Sequence, residues 1–112
     1  MKIITLLSKS PIFIICLLIF IVCRLFPPKK INDFYGYRTA NSKKNQSNWD
    51  FAQKYSNNLF IILLLFMIAI QVVWHYVDPK NPNADFMSVI GLFLIIAIVY
   101  YKTEKKLKKM SS

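Results

Sequence analysis

The sequence predicts an all-α integral membrane protein, with three transmembrane helices and a basic, aromatic interfacial loop between the first and second. Three observations carry this reading. The apolar residues, 55% of the 112, are bunched into long runs instead of recurring at strand or helix periods. Segments rich in Pro, Asn, Lys and Asp separate the runs. The formal charge of +10, from 15 Lys and Arg against 5 Asp and Glu, falls almost wholly outside them. This apolar fraction excludes a disordered chain, and two cysteines exclude a disulfide scaffold. With 2 Gly and 1 His, little is left for phosphate-cradling loops, metal clusters or acid–base chemistry. A basic balance of this size points first to nucleic acid or to an anionic membrane surface. The bunching decides for the membrane.

Residues 1–112 read as a single membrane domain. Its first helix is expected over about residues 5–26, a stretch interrupted mainly by Ser8, Lys9, Ser10, Cys16, Cys23 and Arg24. Ser10 and Pro11 suit an N-cap and first helical position; alternatively the helix starts near Ile4 and kinks at the proline. Pro27-Pro28 stops it, because proline lacks an amide proton and its ring crowds the preceding turn. Lys2 and Lys9 ahead of an apolar run have the flavour of a signal peptide. No small-x-small cleavage pattern follows around Val22-Cys23-Arg24, so a retained helix is expected. The two cysteines lie near one helix face and read as buried free thiols, since a reactive thiol needs an electropositive polar setting.

The second span, residues 59–77, has Gln71 and His75 as its only strongly polar members. At 1.5 Å per residue it is about 28 Å long, close to the ~30 Å of a bilayer's hydrocarbon. The third, about residues 85–101, contains Ser88 and Gly91 and gains length if Lys102 snorkels. Between them residues 78–85 are turn-forming throughout, so these two helices should pair as an antiparallel hairpin. Ser88 and Gly91 would permit close approach there. Gln71 and His75, four apart, share a face near one end of the second span, with Asp78 three residues on. Their bland reading is helix packing at an interface; contact with a ligand or a pH-sensitive role is the sharper one. One histidine with Asp78 and Asp85 is too thin a set for a metal site, and no cofactor is implied.

Charge sets the expected orientation. With three spans, Lys2, Lys9 and Lys80 fall on one side of the membrane. The other twelve basic residues fall opposite: Arg24, Lys29, Lys30, Arg38, Lys43, Lys44 and Lys54 in the first loop, and Lys102, Lys105, Lys106, Lys108 and Lys109 in the tail. The positive-inside rule then places loop and tail in the cytoplasm, N-terminus out and C-terminus in. Trp74 and Tyr76 would mark the outer interface, Tyr100 and Tyr101 the inner one. The basic tail, residues 102–112, is expected to meet anionic lipid.

The loop at residues 27–58 has a composition that neither greasy spans nor solubility explain. Phe34, Tyr35, Tyr37 and Trp49 are interspersed with charges, and Gly36 between two tyrosines suits a turn that needs positive φ. Ser47 and Asp50 have capping-box-like spacing for a helix start. Trp49, Ala52, Tyr55 and Leu59 then form a narrow apolar stripe, as in a short interfacial helix running into the second span. In the plainer reading the aromatics anchor at headgroups while Lys and Arg meet lipid phosphate. In the sharper one Arg38 is a fixed fork donor to Asp33, Asp50 or a helix carboxyl end, with Trp49 or Tyr37 against its flat face.

Asn32, then Tyr35-Gly36-Tyr37-Arg38-Thr39, then Ser42, Asn45 and Trp49 followed by Phe51-Ala52, resembles the signature of the SdpI family. These are bacterial membrane proteins named for immunity to a secreted sporulation-delaying peptide toxin. The resemblance covers the loop, and the three-helix arrangement around it is also similar to the family's shared unit. The family founder is larger, with additional transmembrane helices. The resemblance implies a non-enzymatic protein of the bacterial inner membrane that protects against a peptide toxin or holds a repressor-like regulator at the membrane, with no nucleic acid bound directly. Tyr37, Arg38, Thr39 and Trp49 are the positions it implies. An external toxin would meet the short outer loop and helix faces, including Gln71 and His75, before the motif loop. Protection would then act within the bilayer or by signalling. A stabilising subunit of a larger complex, or an oligomer, is a further reading. An enzyme is the weakest, since no nucleophile–base pair or carboxylate dyad is present.

Overall fold

The computed structural model describes residues 12–80 and 82–111. Three helices follow one another: α1 (Ile12–Leu25), α2 (Gln46–Val77) and α3 (Ala84–Ser111), with no strand among the described residues. The chain is therefore all-α, as expected. α2 and α3 are each long and apolar enough to cross a membrane, and α1 is a shorter apolar helix. The expected start of the first helix near residue 5, and any kink at Pro11, lie outside the described residues. α1 ends at Leu25, and the Phe26 amide closes its last turn on the Val22 carbonyl at 2.8 Å, just before Pro27-Pro28.

In a water-soluble bundle the most apolar stretch of a helix is the most buried. Here the order is reversed. Only 6% of the most apolar window of α2 is buried within the protein, and 17% of that of α3. Phe66, Val73, Phe93 and Leu94 face outward, a surface that water would penalise and hydrocarbon would not. The buried core is a thin seam of Phe13 from α1, Leu64 from α2, and Ile95 and Val99 from α3. Phe20 and Phe60 stack with ring centroids 4.1 Å apart and tie α1 to α2. Gly91 lies against the end of the Met67 side chain: a Cβ there would stand 2.4 Å from the Met67 Cε, which would have to swing aside. Ser88 instead satisfies itself along its own helix, donating to the Ala84 carbonyl at 2.9 Å.

At 1.5 Å per residue, α2 with its 32 residues is about 48 Å long and α3 with 28 is about 42 Å. Both outrun a hydrocarbon layer of ~30 Å, and the excess lies at the basic end. Two expectations change there. Residues 46–58, expected at the end of the loop as a short helix running into the second span, are the first turns of α2 itself. The N-cap is Asn45 and not Ser47: its backbone is extended (φ −158, ψ 172) and its Oδ1 accepts the Asn48 amide at 2.8 Å. Asn is among the best N-caps, so the helix begins two residues sooner. Ser47 and Asp50 lie inside it, and Asp50 accepts a hydrogen bond from the Gln46 Nε2 at 2.7 Å. Residues 102–111, expected as a tail, continue α3. The buried stripe of Ile95 and Val99 runs on through Thr103 and Leu107 at four-residue steps. The lysines of this segment remain exposed.

Candidate functional site

The segment between α1 and α2 is held by a series of local turns. Asn32 makes an Asx turn, its Oδ1 accepting the amides of Phe34 at 2.9 Å and Tyr35 at 3.0 Å. Gly36 follows with φ +98, the left-handed region the sequence called for. A side chain has no room there either: a Cβ would stand 2.6 Å from the Gln53 Oε1 and 2.7 Å from the Pro28 Cγ. Thr39 and Ser42 then bond reciprocally, amide to hydroxyl, at 2.8 and 3.1 Å.

α2 supplies the wall against which these turns pack. The carboxamide of Gln53, buried on its first turns, takes both main-chain groups of Tyr37. Its Oε1 accepts the amide at 2.8 Å and its Nε2 donates to the carbonyl at 2.7 Å, as a neighbouring strand would. The indole of Trp49, fully buried, donates to the Pro28 carbonyl at 2.6 Å. Asn48 donates to the Asn41 carbonyl at 2.9 Å. These buried polar groups are therefore spent on the loop backbone, where an unpaired carbonyl or amide would be costly.

The third helix closes the site. Glu104, 8% exposed, accepts the Tyr37 hydroxyl on Oε1 at 2.7 Å and the Asn41 Nδ2 on Oε2 at 2.6 Å. Burial alone would raise its carboxyl, but Thr39, Asn41 and Tyr37 hydrogen-bond the anion and Lys108 lies a turn away. Together they hold it below the ordinary value of 4.5. Burial, then the hydrogen bond and charge of Glu104, push the Tyr37 phenol well above its ordinary value of 10. The result is a clasp between the loop and the end of α3, with charge-assisted bonds from Tyr37 and Asn41, supported by Thr39, on one buried carboxylate.

Of the motif residues, Asn32, Gly36, Tyr37, Thr39 and Trp49 thus act within the protein. Arg38 meets the sharper expectation in part: Asp33 is its partner, but through the main-chain carbonyl. It is exposed, it donates through Nη1, and neither Asp50 nor Trp49 is its partner among the described residues. The Asp33 carboxylate pairs with Lys43 at 2.5 Å; that hydrogen bond and charge, with Arg38 nearby, lower its pKa. Phe34 and Tyr35 are exposed beside Arg38. The cation–π contact observed is instead Lys106 over the Tyr55 ring, 5.8 Å from its centroid. Sequence reasoning missed Asn41, Gln53 and Glu104. Glu104 did leave a signal, as the single acid in the lysine-rich stretch after Tyr101.

At the opposite end the three helices leave a cavity of about 190 Å³. Phe13, Met67, Ile70 and Met87 give it apolar walls, and Gln71 and His75 line it together with Asp78 and Ser88. The pair singled out from the sequence therefore faces one recess. The thiols of Cys16 and Cys23 are free and partly covered.

Residues 29–102 match the model of the SdpI/YfhL protein family. The chain is 35% identical over 91 residues to the uncharacterized protein YfhL of Bacillus subtilis (strain 168), covering 81% of this chain and 77% of that one. No solved structure matches. The matched stretch contains the loop from Lys29 on, all of α2 and most of α3, and it ends just short of Glu104. With a motif loop folded on two long apolar helices, and with this match across it, the chain belongs to the SdpI/YfhL family of membrane proteins.

Proposed function

We propose that this is a non-catalytic protein of the bacterial inner membrane that confers immunity to, or senses, a membrane-active peptide. The peptide is taken up in the recess between the three helices, at the end that the charge distribution assigns to the outside. One observation carries the reading: the recess combines apolar walls with Gln71, His75 and Ser88, the mixed lining that an amphipathic peptide segment requires. The motif loop has a different task in this scheme. Its Pro28, Tyr37 and Asn41 are engaged by α2 and α3, so it fixes the helix ends and thereby the shape of the recess.

The test is protection. The chain is expressed in a strain sensitive to membrane-active peptides of the sporulation-delaying class, beside His75→Ala, Gln71→Leu and Arg38→Ala. Survival should rise with the wild type, fall with the two recess variants at equal membrane expression, and persist with Arg38→Ala. Normal killing of cells that carry verified wild-type protein overturns immunity.

A second reading rests on the exposed trio Phe34, Tyr35 and Arg38. An aromatic pair beside a guanidinium is typical of protein contacts, and in the cytoplasm it would hold a regulator at the membrane. A pull-down that recovers a DNA-binding regulator, lost in Arg38→Ala and kept in His75→Ala, favours this reading over the first.

A further inference from the structure

We propose that the cleft between the end of α1 and the start of α2 binds a phosphate group, presented by a phospholipid headgroup. This is a defined site, separate from the diffuse attraction of the basic surface and independent of any peptide bound at the other end.

The cleft has a volume of about 420 Å³ and brings three cations together from three stretches of chain: Arg24, Lys29 and Lys54. None of them is neutralised by a carboxylate among the described residues, whose ion pair is Lys43 with Asp33. Arg24 is oriented through Nε, which donates to the Asn58 Oδ1 at 2.8 Å. Its two terminal nitrogens have no protein partner among the described residues and remain as a fork for an oxyanion. Lys29 is fixed at its backbone, where the carbonyl accepts the Gln46 Nε2 at 2.7 Å. The one acid in the lining, Asp50, already accepts from the same Gln46 at 2.7 Å.

A second observation points to a ligand. Asn57 lines the cleft at 6% exposure, yet its carboxamide has no hydrogen-bond partner among the described residues. The amide atoms are not sealed from solvent but reach the cleft, where a ligand can meet them. A phosphate oxygen resting among three cations would accept its N–H. Gln53 in the same wall is no competitor, since both ends of its carboxamide serve Tyr37.

Depth selects the source of the phosphate. Leu25 and Phe26, beside the cleft, are 68% and 72% exposed, and the apolar run of α2 begins at Leu59, two residues past Asn57. The cleft therefore opens where hydrocarbon gives way to headgroups. Asp50 at its margin can accept from a headgroup hydroxyl or ammonium.

Native mass spectrometry of the full chain in neutral detergent tests this, with phosphatidylglycerol added and inorganic phosphate as the competing probe. One phosphatidylglycerol should be retained. Lys54→Gln and Asn57→Leu should each weaken retention by about tenfold, as expected for one hydrogen bond to a charged group. Asn57→Leu also separates a ligand contact from a merely structural orphan. If the amide does not contact the lipid, the variant keeps its lipid, and the proposal fails. Unchanged retention in Lys54→Gln overturns it as well. If inorganic phosphate at millimolar concentration displaces the lipid and raises the melting temperature equally, the headgroup as source is refuted.

Discussion

The Glu104 clasp makes the sharpest prediction, because it joins segments 67 residues apart through atoms that can be altered one at a time. Tyr37→Phe deletes a 2.7 Å bond to a carboxylate of 8% exposure. Hydrogen bonds to charged groups contribute about 1.5–3 kcal/mol each, and little solvent screening reduces that here. Glu104→Gln removes the charge while leaving polar contacts possible. The amide oxygen can accept from Asn41 and the amide nitrogen can donate to the phenol, so the loss should be smaller, about 1–2 kcal/mol. In the double variant the bond already absent cannot be lost again. A double-mutant cycle should therefore return a coupling of about 1 kcal/mol. The assay is equilibrium unfolding in mixed micelles of increasing denaturing detergent, followed by the fluorescence of Trp49 beside the clasp. Coupling below about 0.3 kcal/mol, the scatter expected of independent sites, would show that Tyr37 and Glu104 do not touch.

Other consequences are as direct. Because the folded Glu104 carboxyl lies below its ordinary 4.5, its stabilisation is complete above that value and is lost as pH falls through the folded one. Wild-type stability should thus drop more steeply in acid than that of Glu104→Gln. The raised Tyr37 phenol has the opposite sign: its contribution is present below 10 and declines as pH rises above it. Phenolate absorbance should show Tyr37 ionising later than a free phenol, and Tyr37→Phe should remove that late titration. Gly36→Ala must force a Cβ between Gln53 and Pro28 at φ +98. It should cost about 2 kcal/mol or more in the same unfolding assay. Trp49→Phe strands the buried Pro28 carbonyl and should cost about 1–3 kcal/mol, whereas the exposed Arg38→Ala should stay within about 0.5 kcal/mol.

Those contrasts bear on how motif residues are interpreted. Tyr37 and Trp49 lie in one motif with Arg38, but two of them hold the loop from within and the third faces outward. Loss of activity in a Trp49 variant would report a failed scaffold. Loss in an Arg38 variant at normal stability would report a surface.

By itself the sequence determined the class of the protein, the number of helices, the ends of the apolar runs and the need for glycine at position 36. Each of these follows from one-dimensional facts: a run with no polar face needs hydrocarbon around it, Pro27-Pro28 must stop a helix, and two residues flanking a glycine mark a turn. The family signature was also legible, since it is written in contiguous residues. Tertiary structure alone decided what the polar residues do. Gln53 and Glu104 could not be recognised as buried from the sequence, because hydropathy treats an amide or a carboxylate as if water were its only partner. In the folded chain α2 and α3 run on beyond their apolar stretches, and the loop lies between them. Gln53 and Glu104 are buried there because the backbone of Tyr37, its phenol and the Asn41 amide satisfy them. Whether a polar residue is inside or out depends on the partner it meets, and that partner lies many residues away in the chain.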